Sequence, residues 1–372
     1  MNTSTAANRS DRIVIVVDSL VGGGAERSVL EIAGGLACRG WSVDLITLHP
    51  PIAYEPPKGV RHTQLATSPR CKDSVLAERL KQVHLDLCAK HGEPALVLVN
   101  LIRSCRVVRR IHFNETPVYH VVRNPLATQI QHTRTWAVGW YRRWQLRNLF
   151  NGQRIIGISQ GVVDDVMHDI GAIPKSAHVI HNPFDIAAIQ REASSANPTA
   201  DAHRPYVLCA GHFKRQKRQD LALRAWAQSR IDADIVFIGG GSTRKREALK
   251  DLARTLGVSE RVHILEWQTG IYQWMAKAEL LLVSSDFEGF GRVIVEALAV
   301  GTPVVSTDCP SGPREILTGD LQRGLAPVRD ATALADRLRE LANDPPAITD
   351  RHLEPFRLEN ILDQYEQLPR RS

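Results

Sequence analysis

SSDFEGFGRVIVEALAVGTPVVSTDCPSGPREI, residues 284–316, decides the fold of this 372-residue chain. The run just before it, ELLLVSS at 279–285, has the length and unbroken apolar character of a strand buried on both faces of a parallel sheet. It empties into an acidic, glycine-broken loop, Asp286-Phe287-Glu288-Gly289-Phe290-Gly291. A helical pattern follows, with Val293, Ala297 and Val300 spaced to bury one side, and it stops at Gly301-Thr302-Pro303. PVVST then reads as a second strand and opens onto Pro310-Ser311-Gly312-Pro313. Strand, loop, helix, strand, loop is a βαβ unit that brings two loops to one sheet edge, where open α/β sheets bind ligands.

The residues of that edge have a readable chemistry. Gly289 and Gly291 let the backbone approach a ligand without a Cβ in the way. The N–H groups of Phe290, Gly291 and Arg292 fall at a helix N-terminus, which favours phosphate. Glu288 before the helix and Glu296 a turn into it are acceptor-only carboxylates, suited to the hydroxyls of a sugar and a ribose. The alternative is structural: Glu288 caps the helix and Glu296 pairs with Arg292 at i, i+4.

Similar strand–loop alternations run through the chain. RIVIVVDSL leads into Val21-Gly22-Gly23-Gly24-Ala25-Glu26-Arg27 and a helix, then VDLITL, ALVLVN, PVYHVV and RIIGIS read as further strands. Gly23 and Gly24 can bring backbone amides to a phosphate, although the spacing is not GxGxxG. A polar, Ala/Ser-rich stretch from Asp185 to Arg204 reads as a linker, after which PYVLCAG, DIVFIGGG, VHIL, ELLLVSS and PVVST begin a second α/β series. PYVLCAG ends in Gly211-His212-Phe213-Lys214-Arg215-Gln216-Lys217-Arg218, a cationic loop placed to neutralise a diphosphate. Arg123-Asn124-Pro125 closes a strand of the first series, where Arg123 can face a ligand or the segment can be a plain Asn-Pro turn. His120, on that strand, is a core histidine or a catalytic candidate.

Composition narrows the classes. No CxxC and no zinc-spaced Cys/His cluster accompanies the six cysteines, which fits a reduced, cytoplasmic protein. The polar N-terminal residues lack the apolar stretch of a signal peptide, and runs such as IVIVV are too short to span a bilayer. Net charge is +7, and its placement matters more than its size: residues 1–199 carry 23 Lys and Arg against 16 Asp and Glu, while residues 200–372 carry 24 of each. An anionic partner is therefore expected for the first half. There, RTWAVGWYRRWQLR at 134–147 places Trp136, Trp140 and Trp144 four apart on one helical stripe among arginines that include Arg143. Such a face suits a bilayer interface or a lipid diphosphate, or it is a core packed under neighbouring helices. Asp232-Ala233-Asp234 has the D-x-D form of a metal site but precedes its strand instead of following it, so no metal is expected.

Glu288 and Glu296, bracketing GFGRVIV, resemble the E-x7-E element of retaining GT-B glycosyltransferases of family 4. TDCPSGPREI resembles a segment of bacterial polysaccharide and lipopolysaccharide transferases of that family, many of which use UDP-sugars. GGGAER is similar to the family's opening loop, HNP to a segment near the end of its first domain, and R-N-x-P at Arg123 to that of some subgroups. GHFKRQK resembles its G-R-L-x-x-Q-K, with Lys217 at the phosphate-binding lysine and His212 where an arginine is usual. The resemblance extends from Ile13 to about Leu341.

What it implies is an α/β GT-B fold, two doubly wound Rossmann-like domains facing a central cleft. Residues 1–190 would bind acceptor, 200–350 would bind nucleotide sugar, and 351–372 would form a helix crossing back to the first domain. The implied activity is retaining, metal-independent transfer from a nucleotide diphosphate sugar, UDP-hexose or UDP-N-acetylhexosamine, to a saccharide or polyprenyl-linked acceptor, with no cofactor. Glu288, Lys217 and His120 are the catalytic candidates. The donor set is Gly23, Gly24, His212, Arg215, Lys217, Glu288, Gly289, Phe290, Gly291, Arg292 and Glu296; Arg123, Asn124, Trp136, Trp140 and Arg143 are on the acceptor side. The expected location is cytoplasmic, peripheral on the inner face of the inner membrane. The rival readings are another enzyme on this scaffold and a degenerate GT-B protein that binds nucleotide sugar or lipid without turnover. A nucleic-acid binder is a third, but it would leave Glu288 and Glu296 unexplained, so no nucleic acid is expected.

Overall fold

The structure is a computed structural model that describes residues 11–131, 136–195 and 204–370. Among these the chain forms two compact units. One comprises residues up to Ile158, Val162–Pro183 and the segment from Leu358; the other comprises Ser159–Gly161 and Phe184–Arg357. The change of unit at Pro183/Phe184 falls just before the polar stretch read as a linker. Phe184 is already buried there, and its N–H donates to the Phe356 carbonyl at 2.9 Å.

The first unit holds β1 (Arg12–Val17), β2 (Ser42–Thr47), β3 (Val60–Gln64), β4 (Leu96–Asn100), β5 (Val118–Val122), β6 (Arg154–Gly157) and β7 (Ser176–Val179). They form a seven-stranded sheet in the order β3-β2-β1-β4-β5-β6-β7, and every ladder is parallel. The order reverses between β1 and β4, in register from Ile13 against Leu96 to Val17 against Asn100. Strands β1 and β4 are buried along their whole length, which explains their unbroken apolar sequences.

Helix Leu358–Gln367 packs on helix Gly24–Cys38 in this unit. Gly35 leaves room for it, since a Cβ there would lie 2.6 Å from Leu362 Cδ1. Arg39 donates to Asp363 and Glu366 at 2.6 and 3.0 Å, and Trp41 Nε1 donates to Glu366 at 2.8 Å.

The second unit holds β8 (Tyr206–Ala210), β9 (Asp234–Ile238), β10 (Val262–Leu265), β11 (Leu280–Val283), β12 (Val304–Thr307) and β13 (Leu325–Ala326), ordered β10-β9-β8-β11-β12-β13 and again parallel throughout. Its core joins Phe237, Trp226, Leu282 and Leu338. The sheet reverses between β8 and β11, so the loops that follow those two strands meet at one edge. Helix Arg292–Ala299 is buried over Ile294–Ala299, and Val293 and Val300 are only half-buried. The one-sided pattern drawn from Val293, Ala297 and Val300 is thus corrected: the helix is enclosed nearly all round. Among the described residues no helix is long and apolar enough to cross a membrane.

Candidate functional site

At the reversal point of the second sheet, residues 211–218 and 284–291 are tied together. Arg215–Lys217 form a single 3-10 turn after β8. The Gln216 carbonyl accepts from the Asp286 N–H at 2.8 Å, and Gln216 Nε2 donates to the Phe287 carbonyl at 2.6 Å. Ser284 Oγ donates to the Lys217 and Arg218 carbonyls at 2.8 and 2.9 Å. These bonds fix Lys217 so that its Nζ donates to Glu288 Oε1 at 2.6 Å, an oxygen that also accepts from Ser285 Oγ at 2.6 Å. Glu288 is buried and Lys217 is partly exposed. A cation and a carboxylate aligned at a loop edge can divide an anionic sugar ligand between them, phosphate to one and hydroxyls to the other.

Helix Arg292–Ala299 opens beside this pair. Gly291 precedes it at φ 94° and offers no side-chain cap, while the Glu288 carboxylate bonds to Lys217 and Ser285 instead of capping the helix. The 310–312 loop presses on the same turn. Gly312 sits at φ 99° with its Cβ position 1.9 Å from the Phe290 carbonyl oxygen, and the Glu288 N–H donates to the Pro310 carbonyl at 3.2 Å. Ser159 Oγ donates to the Gly289 carbonyl at 2.8 Å. Phe290 itself is buried between Phe184 and Phe356, with ring centroids at 6.2 and 5.4 Å, so only its main chain faces the loop edge. Arg292 lies 4.3 Å over the Phe184 ring and 3.4 Å from Glu296 Oε1. The structural pairing considered for Glu296 is therefore present, whereas that considered for Glu288 is not.

Other sequence candidates lie elsewhere. The His212 ring is nearly parallel to Trp267, with centroids 6.4 Å apart, and its Nδ1 would lie 3.3 Å from a Cβ at Gly240. Arg215 turns from Glu288 into a separate basic cavity with Lys214 and Lys245. Gly23 and Gly24 open helix Gly24–Cys38 at the edge of the first sheet; the left-handed glycine there is Gly22, at φ 106°. Arg123 is buried at the end of β5, donating to Asn100 Oδ1 from Nε and Nη2 at 3.1 and 2.8 Å and to Asn182 Oδ1 at 2.9 Å. That overturns the plain surface turn, and the neighbouring Asn124 is partly exposed.

His120 lies where the core reading of it places it. It is buried on β5 against Phe150, 3.3 Å from Gln153 Oε1, and burial pushes its pKa down to about 4, so it stays neutral near pH 7. Trp136, Trp140 and Trp144 are 87%, 65% and 49% exposed on helix Trp136–Phe150, which rules out the packed-core reading for them. Arg143 is exposed with them, and Arg134 lies outside the described residues. Asp232 and Asp234 are engaged by Arg204, Arg261 and His263. Sequence reasoning did not single out Ser285, Gln216, Ser159 or Asn100. Their parts depend on loops distant in sequence, and the visible signals were the position of Ser285 before an acidic loop and that of Gln216 in GHFKRQK.

Two tandem parallel sheets, each with its strand order reversing once, form the GT-B fold, and the Lys–Glu pair lies at the second reversal point. Family models agree across the chain: Glycosyltransferase Family 4 matches residues 22–188 and Glycosyl transferases group 1 matches residues 190–354. The chain belongs to this family of glycosyltransferases. It is 26% identical over 340 residues, 90% of each chain, to the N-acetylgalactosamine-N,N'-diacetylbacillosaminyl-diphospho-undecaprenol 4-alpha-N-acetylgalactosaminyltransferase of Campylobacter jejuni. A lipopolysaccharide 1,6-galactosyltransferase of Salmonella typhimurium is 30% identical over 169 residues, 44% of this chain and 45% of that one. The crystal structure of Anabaena HepE in complex with UDP and glucose superimposes with a TM-score of 0.75 at 20% identity, covering 97% of this chain and 100% of that one.

Proposed function

We propose that this glycosyltransferase moves a hexose or N-acetylhexosamine, with retention and without a metal, from a UDP-linked donor to a saccharide or lipid-linked acceptor in cell-surface glycan synthesis. The observation that carries the reading is the Lys217–Glu288 pair beside the N-terminus of helix Arg292–Ala299. In this reading Lys217 and the first-turn amides hold the donor diphosphate and stabilise the charge that builds on it as the glycosidic bond breaks. Glu288 takes donor-sugar hydroxyls and Glu296 the ribose hydroxyls. The acceptor hydroxyl attacks from the face the diphosphate leaves, and the departing phosphate oxygen takes its proton. The names of the Campylobacter and Salmonella relatives support the acceptor class, and the HepE complex supports UDP.

The same reading has the protein working at the cytoplasmic face of the inner membrane. Exposed Trp136, Val138, Trp140, Tyr141 and Trp144 share helix Trp136–Phe150 with Arg142, Arg143 and Arg147, and no acid interrupts that helix. Aromatic and cationic side chains on one exposed element suit anionic lipid headgroups.

The test is thermal stabilisation of the purified chain by UDP, GDP, ADP, CMP and their sugar conjugates without added metal, with Lys217→Ala alongside. A shift selective for UDP compounds and lost in Lys217→Ala is expected. Absence of a shift with every nucleotide would favour a degenerate, non-transferring protein, the reading to which His212 in place of arginine lends support.

A further inference from the structure

A cavity of about 570 Å³ lies in the second unit, and neither Lys217 nor Glu288 lines it. Its walls come from Lys214, Arg215 and Arg218 after β8, from Lys245 on helix Thr243–Thr255, and from Asp286 and Arg329 after β11 and β13. The chain steps from β8 to β9 in one direction across the sheet and from β11 to β12 in the other. Right-handed crossovers therefore put helices Gln219–Ser229 and Thr243–Thr255 on one face and helix Arg292–Ala299 on the opposite face. The cavity belongs to the first of these faces, and helix Arg292–Ala299 belongs to the second.

Its charge is one-sided. Five cationic side chains line it against two carboxylates, Asp220 and Asp286. Both carboxylates are already engaged: Asp286 accepts from Arg218 Nη1 at 3.3 Å and Arg329 Nε at 3.0 Å, and Asp220 accepts from Arg218 at 3.0 and 3.1 Å. Lys214, Arg215 and Lys245 form no salt bridge among the described residues, and Asp220 acts on Lys245 only through space. The ammonium of Lys245 is made less stable first by burial and then by Arg215, and its pKa is lowered accordingly. Two of the lining arginines also hold left-handed backbone, Arg218 at φ 45° and Arg329 at φ 64°, a conformation costly outside glycine and concentrated at functional sites. Phe213 and Leu249 add an apolar floor.

We infer that this cavity is a second anion site, distinct from the donor site, which takes a phosphorylated small molecule. The phosphoryl group would lie between Arg215, Lys214 and Lys245, and the body of the ligand on Phe213 and Leu249. A guanidinium and two ammonium groups match a phosphoryl group of two or more charges, and the volume suits a small molecule. The site is not isolated from Lys217, because Arg215 and Lys217 are the first and third residues of one 3-10 turn.

Calorimetric titration of the full chain with inorganic diphosphate, at constant low ionic strength, tests this. Two sites are expected in the wild type. Arg215→Ala with Lys245→Ala should weaken one at least tenfold and leave the other; Lys217→Ala should do the reverse. Diphosphate binding whose stoichiometry and affinity Arg215→Ala/Lys245→Ala leaves unchanged overturns the second site, whatever Lys217→Ala does. Loss of the Arg215/Lys245 site with no effect of Lys217→Ala instead sinks the donor-site reading and leaves this one standing. In the Lys217→Ala background, UDP and glucose 6-phosphate then separate a nucleotide product from an independent sugar phosphate as the ligand. Saturable binding of one of them, lost on adding Arg215→Ala/Lys245→Ala, supports the site, and failure of both to bind overturns it.

Discussion

Gly312 occupies a point that no side chain can enter. Its φ of 99° is unfavourable for any L-residue, and a Cβ there would lie 1.9 Å from the Phe290 carbonyl oxygen and 2.6 Å from the Phe290 Cα. Both obstacles are backbone, so neither can swing aside as a flexible side chain would. Gly312→Ala is expected to cost about 3 kcal/mol or more in urea denaturation, from backbone strain and steric displacement together. A loss below about 0.5 kcal/mol, the range of an ordinary surface substitution, would show that the 310–312 loop is not pressed onto the turn that presents the first-turn amides. The loop itself was legible from its proline and glycine content. Its contact with Phe290, twenty-two residues earlier, was not, because close approach of two loops leaves no periodic trace in either.

At the scale of the element, β5 carries a titration that the fold must resist. Burial lowers the pKa of His120 to about 4, so the unfolded chain binds this proton at a higher pH than the folded one. Stability from this group is complete above the ordinary histidine value of about 6.5 and is lost as pH falls towards 4, by roughly 3 kcal/mol at most. His120→Phe, which keeps an aromatic ring beside Phe150, should flatten the fall in unfolding free energy between pH 6.5 and 4. Parallel pH profiles for wild type and variant would exonerate His120. Strands such as β1, β4, β8, β9 and β11 were legible because strands covered on both faces read as continuous apolar runs. The edge strands β3 and β7 were not, since their residues are partly or wholly exposed and mostly polar, and β13 is only two residues long. The segment around Glu288 and Glu296 was legible as strand–loop–helix, but the partner of Glu288 comes from a loop 71 residues earlier and had no local signal.

For the whole molecule, the decisive quantity is where the charge lies. The first 199 residues hold the entire excess of positive charge, and the exposed Trp/Arg helix is on that part of the chain. Replacing Trp136, Trp140 and Trp144 together by alanine should change unfolding free energy by no more than about 0.5 kcal/mol per site, because those rings are solvent-exposed. Sedimentation with phosphatidylglycerol vesicles should weaken by about tenfold or more in that variant, the loss expected when large apolar surfaces no longer enter the interface. Binding of the wild type should also fall as salt shortens the screening length. Vesicle binding unaffected by the triple substitution would remove this helix from the membrane reading. The charge asymmetry was plain from the sequence. The outward direction of the tryptophans was not, since a stripe four residues apart looks the same whether it meets a core or a solvent.

Lys217 and Glu288 answer each other's charge at 2.6 Å, so in the proposed reaction binding of the donor is an exchange of partners. An intact sugar nucleotide gives the lysine a phosphate and the carboxylate a set of hydroxyls. Once the sugar has gone, the remaining nucleotide satisfies only the lysine and strands the carboxylate. In the proposed reaction the resting ion pair thus competes with the spent nucleotide far more effectively than with the fresh donor, and the enzyme carries its own ejector for the product.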